Sequence, residues 1–113
     1  MTIDGVTINS EEQILTALQE EFDQTVEFVI MDDGKNRFIQ TSGGALEYHE
    51  GDKHYFVADE PVDPEKIKAA FLSYYRGDGE YLRNFEWTEE VYESLWTKIK
   101  KLFGKRAVPD KGR

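Results

Sequence analysis

Two periods of apolar residues divide this chain. From Ser10 to Phe22 they recur at helical spacing: Ile14, Leu15, Leu18 and Phe22 fall on one stripe, while Glu11, Glu12, Glu20 and Glu21 point elsewhere. Ser10-Glu11-Glu12-Gln13 matches a capping box, with Ser10 as N-cap and Gln13 reaching back from the third helical position. The spacing predicts a helix over 10–22. Before it, Ile3, Val6 and Ile8 alternate weakly around Asp4-Gly5, as in a short strand or an extended lead-in. After it, Val26–Met31 and Arg37–Gln40 are rich in β-branched and apolar residues and flank Asp33-Gly34. An Asp-Gly pair suits a type I′ hairpin turn, which needs positive φ at both central residues. That register pairs Phe28 with Ile39 and Val29 with Phe38, and predicts a central hairpin covered, at least in part, on both faces.

Strict alternation follows. Ala45–His49 and His54–Ala58 flank Gly51-Asp52, and Gly at the first turn position suits a type II′ hairpin. The register pairs Glu50 with Lys53, His49 with His54, Tyr48 with Tyr55 and Leu46 with Val57. Leu46, Tyr48, Tyr55 and Val57 then share the core side, and Glu47, His49, His54 and Phe56 the other. Asp63 reads as an N-cap with Pro64 at the first helical position, and Val62 can staple onto Ile67. Ile67, Ala70, Phe71 and Tyr74 form this helix's buried stripe, and Gly77 ends it. Thr88 reads as the cap of a last helix ending at Gly104, with Val91, Leu95, Ile99 and Leu102 on one stripe and Trp87 able to staple onto Tyr92. The pattern as a whole predicts an α+β fold. A four- to five-stranded antiparallel meander is joined by one N-terminal helix and two C-terminal helices, because the loops between strands are too short for parallel crossovers. Residues 1–104 make one domain, and residues 105–113 a frayed basic tail.

Composition narrows the function classes. The 113 residues contain no Cys, which excludes disulfides, thiolate metal sites and cysteine nucleophiles. The first residues lack a basic segment followed by an apolar one, and no apolar run nears the roughly 20 residues that span a bilayer. A soluble cytoplasmic protein is expected, with no membrane partner. Charge is uneven: residues 1–97 hold 22 acidic and 7 basic side chains, whereas residues 98–113 hold 7 basic and 1 acidic. The acidic body should repel nucleic acid and steer in a basic protein. The same charge also serves solubility alone.

Chemical motifs are sparse. Glu47, His49 and His54 share the wet face of the second hairpin and could hold Zn²⁺ with an open position; a plain solvated face explains them as well. Ser10 is a cap, Ser73 and Ser94 lie in helices, and Ser42 has no nucleophile elbow around it. Thr41-Ser42-Gly43-Gly44 lacks the Lys and the following helix of a phosphate loop. Asp32-Asp33-Gly34-Lys35-Asn36 lacks the spacing of a calcium loop. Neither enzymatic activity nor a cofactor is expected. Residues 71–103 hold nine of the fifteen aromatics, and Tyr75, Tyr81 and Trp87 fall off the helical stripes. They read either as interface anchors or as a second core layer beneath the 78–87 loop. Helix 1 offers acid alone, so the partner-binding surface is assigned to Glu47, Asp78, Glu80, Tyr81 and Trp87, which combine acid with aromatics. A monomer or weak dimer is expected.

The run Phe71-Leu72-Ser73-Tyr74-Tyr75-Arg76-Gly77-Asp78 with Phe85-Glu86-Trp87, and the earlier Phe38-Ile39-Gln40 leading to Leu46-Glu47-Tyr48-His49, resemble small bacterial immunity proteins. Such proteins are encoded beside secreted polymorphic or contact-dependent toxins. The resemblance spans residues 26–87 and implies an α+β domain that binds and blocks a cognate toxin by occlusion. It implies no particular contact residue. The alternatives are a generic cytoplasmic or phage-derived interaction module, such as a nucleic-acid mimic, and a small metal-dependent hydrolase built on Glu47, His49 and His54.

Overall fold

The computed structural model describes residues 1–90. The last helix, expected over 88–104, lies outside them from residue 91 on, as does the basic tail. The element order is β1 (Thr2–Ile3), β2 (Val6–Thr7), α1 (Glu11–Phe22), β3 (Val29–Asp32), β4 (Arg37–Ser42), β5 (Ala45–Glu50), β6 (Lys53–Val57), α2 (Pro64–Arg76), α3 (Glu80–Arg83) and β7 (Trp87–Glu90). All seven strands form one antiparallel sheet in the order β2-β1-β3-β4-β5-β6-β7. The fold is α+β, with more strands than the sequence pattern predicts.

The helix signals act as read. Gln13 Oε1 accepts from the Ser10 N–H at 3.2 Å. Asp63 Oδ1 accepts from the Glu65 N–H at 2.8 Å, and Gly77 closes α2 in the left-handed region at φ 74°. Ile14 and Leu18 of α1, with Ile67, Ala70, Phe71 and Tyr74 of α2, join Val29, Met31, Ile39, Leu46, Tyr48 and Val57 in one core. Both helices therefore cover the same face of the sheet. Leu15 is exposed, and Glu21, expected to point outward, is buried in its place.

The second hairpin has the predicted register, Glu50 to Lys53, His49 to His54 and Tyr48 to Tyr55. The first does not. Met31 pairs with Ile39 and Asp32 with Phe38, three residues away from the expected register. Asp32 Oδ1 accepts from the Gly34 N–H at 2.6 Å and Asp33 Oδ1 from the Lys35 N–H at 2.7 Å. These successive side-chain turns widen the loop to Asp33–Asn36, overriding the two-residue turn. Only one face of this hairpin is core: Val29, Met31, Ile39 and Thr41 are buried, while Ile30, Phe38 and Gln40 stay half-exposed.

Two further departures extend the sheet. Asp4-Gly5, at φ 50° and 85°, turns the lead-in into the β1–β2 hairpin, and Asp4 Oδ1 accepts from the Ile30 N–H at 3.1 Å. Thr88 is not a helix cap: Trp87–Glu90 runs as a strand against β6, with Val57 opposite Trp87 and His54 opposite Glu90. The open backbone edge of β6 takes these residues into the ladder, against their local helix-start signals.

Candidate functional site

The predicted partner-binding residues fall into two groups. Beyond Gly77, the exposed Asp78 carboxylate accepts from the Ser73 hydroxyl and from the Glu80 N–H (2.9 Å), and Ser73 Oγ accepts from the Tyr81 N–H (2.9 Å). The hydrogen bond from Ser73 holds the Asp78 carboxyl below the usual range. This stitching turns Tyr81 inward. It is 6% exposed, with its ring 5.2 Å from Tyr48 and 5.3 Å from Tyr74, edge to face in both pairs. The Tyr81 carbonyl accepts from the Trp87 indole N–H at 2.8 Å, and Trp87 is half-buried against Phe85. Asp78, Glu80, Tyr81 and Trp87 thus meet at one corner, which also exposes Leu82 and Glu86. Tyr81 belongs to the core layer there, so it is corrected from an exposed anchor to a support for Trp87. Glu47 lies elsewhere, on the opposite face of the sheet, in the row of Phe56 and Thr88.

That opposite face carries a line of cross-strand partners from β3 to β7: Asp32, Phe38, His49, His54 and Glu90. Phe38 stacks on His49 with centroids 4.1 Å apart, and His54 meets His49 at 3.6 Å. His49 is only 7% exposed, so it is not on a wet surface as expected. Its Nε2 lies 3.4 Å from Glu47 Oε1, which also accepts from Gln40 Nε2 at 2.9 Å. His54 Nδ1 lies 4.0 Å from Glu90. Burial, and then the neighbouring His54, push the His49 imidazole below its ordinary pKa, outweighing the pull of Glu47 and Glu90. Among the described residues, no three His, Asp or Glu side chains are grouped so as to hold a metal ion; His49 and His54 meet edge to face, and His49 stacks on Phe38.

A third feature escapes the sequence reading. Glu21 is 7% exposed, and its Oε2 accepts from the Gly43 N–H at 2.9 Å. It lines a cleft of about 440 Å³ between the end of α1, the β4–β5 turn and the start of α2. The signal was present: Glu21 stands seven residues after Ile14 and three after Leu18, on the buried stripe itself. On the other side of α2, Tyr74 carries the one buried side-chain polar atom without a hydrogen-bond partner among the described residues, its hydroxyl. Burial, then the Asp33 carboxylate, raise the Tyr74 phenol far above its ordinary value.

No family model, curated protein or solved structure matches this chain. Its own electrostatics therefore carry the functional reading. Residues 1–90 hold 21 acidic and 7 basic side chains. Three of the cations are committed internally: Arg37 to Asp33 (2.7 Å), Lys68 to Glu65 (3.0 Å) and Arg76 to Glu11 (2.6 Å). Most carboxylates are left without a Lys or Arg partner among the described residues. No helix among these residues is long and apolar enough to cross a membrane.

Proposed function

We propose that this chain is a non-enzymatic protein-binding domain that docks on a basic protein and blocks it by occlusion, as an immunity-type inhibitor blocks a toxin. The observation that carries the reading is the unbalanced charge of residues 1–90, 21 acids against 7 bases, of which three are already paired inside the body. Such a field attracts a basic partner and speeds its approach. The Asp78–Glu80–Trp87 corner supports it with exposed carboxylates beside a half-buried indole and an exposed Leu82, a mixture of acid and apolar area suited to an interface. Tyr81 contributes from beneath by holding Trp87 through its carbonyl. Glu47 belongs to this surface only if the partner wraps around the sheet edge.

The test is affinity capture with the full chain from its native organism, identification of the captured protein, and titration of that protein's activity. The reading expects a basic partner whose activity falls stoichiometrically. A partner that is not basic, or one whose activity is untouched at saturation, overturns it.

A further inference from the structure

We infer that the Glu21 cleft is an anchor pocket for one Lys or Arg side chain of the basic partner; the inference rests on the functional reading above and specifies how it is carried out. Four observations converge. Glu21 Oε2 is held by the Gly43 N–H, while Oε1 makes no hydrogen bond among the described residues and is not a sealed atom, so it opens into the cleft that Glu21 lines. No described Lys or Arg pairs with this carboxylate, although its residue is 7% exposed; a buried charge in that position calls for a cation. Glu21 also sits in the last turn of α1, which has no basic residue there, so the helix's negative end adds to the site. Asp63 contributes a second carboxylate to the lining, and by accepting from the Glu65 N–H it already answers the amide end of α2.

The walls suit such a guest. Phe22, Val62 and Ile67 line the cleft with apolar surface, against which a methylene stem can lie while its charged head meets Glu21. A volume of about 440 Å³ is at the small end of ligand clefts, which run from roughly 300 to 1,000 Å³. A guanidinium is favoured as the head group, because it pairs with a carboxylate through directed N–H donors.

The probe is n-butylguanidinium, followed by amide chemical shifts of the isotopically labelled full chain, with n-butanol as the neutral counterpart. Saturable shifts at Gly43, Gly44 and Glu21 are expected, with a dissociation constant on the order of 1 mM, and n-butanol should produce none of them. In Glu21→Gln the amide oxygen can still accept from Gly43, so the fold is kept while the charge is lost, and binding should weaken about tenfold or more, the scale of a charge-assisted hydrogen bond. Equal binding of n-butanol and n-butylguanidinium, or no saturation by the cation, overturns the anchor pocket on the wild-type chain alone. So does a folded Glu21→Gln that binds as tightly as wild type. Failure of the pocket is separable from failure of the functional reading: a captured basic partner whose affinity is unchanged by Glu21→Gln removes the anchor and leaves charge-driven docking in place.

Discussion

The imidazoles of His49 and His54 meet edge to face across β5 and β6 with ring centroids 3.6 Å apart, and Phe38 stacks on His49 from β4 at 4.1 Å. A proton on His49 would place a charge inside this stack. Because burial, and then His54, lower the folded-state pKa below the ordinary 6.5, the unfolded chain binds this proton more readily. The stability it contributes is complete above the unfolded-state value and is lost as pH falls toward the folded-state value. Urea unfolding of wild type across about pH 7 to 5 should show that decline. His49→Phe keeps a ring against Phe38 and should flatten the curve over the same window. An unchanged slope would show that groups other than His49 set it.

Tyr74 is 5% exposed, and its hydroxyl has no hydrogen-bond partner among the described residues. Removing an unsatisfied buried hydroxyl without changing ring shape should stabilise the fold by up to about 1 kcal/mol. In a thermal melt, Tyr74→Phe should therefore rise by up to about 4 °C. A lower melting temperature would show that the hydroxyl is bonded in solution.

Two turn glycines should respond differently to Ala. A Cβ on Gly44, at φ 88°, would stand 2.6 Å from the Cβ of Pro61, whereas one on Gly51, at φ 64°, meets nothing within 4 Å. Gly51→Ala should cost only the left-handed strain, about 1 kcal/mol. Gly44→Ala adds a clash with the rigid Pro61 ring and should cost more than about 2 kcal/mol. Equilibrium unfolding of both variants checks the order; equal losses would mean that the chain at Pro61 yields freely.

The sequence made the short-range logic legible. Ser10 with Gln13, and Asp63-Pro64 with Gly77, marked α1 and α2 through contacts made within a few residues, and Gly51-Asp52 set the β5–β6 register because turn chemistry and alternation agreed. The failures lie where a local signal competed with something else. Asp33-Gly34 reads as a two-residue turn, yet Asp32 and Asp33 each hydrogen-bond two residues onward and lengthen it. Trp87-Thr88-Glu89-Glu90 has the residues of a helix start, and pairing with β6 claims it. Of the candidate site, Asp78, Glu80 and Trp87 could be grouped from sequence, but the burial of His49 and Tyr81 depends on Phe38, Tyr48 and Tyr74, which come from other elements. Stripe spacing puts Glu21 among the buried positions while its charge argues for the surface, and position prevails.

Under the proposed function, Trp87 serves both stability and binding at the α2–α3 corner. Trp87→Ala loses the hydrogen bond to the Tyr81 carbonyl and the packing on Phe85 and Tyr48, and should cost about 2 kcal/mol of stability for a half-buried indole. As an interface anchor it should also speed dissociation of the partner by about tenfold or more. Thermal melts and binding kinetics on the same variant separate the roles. A destabilised Trp87→Ala with wild-type dissociation would leave the indole a purely structural residue.

Charge-steered docking is tested most directly by the association rate of the full chain with its captured partner as a function of ionic strength. With 21 acidic side chains against 7 basic ones in residues 1–90, the rate should fall steeply, by about tenfold or more between low and physiological salt, as the Debye length contracts toward about 8 Å. The dissociation rate should change far less. An association rate that stays constant across this range would contradict recognition by the acidic body.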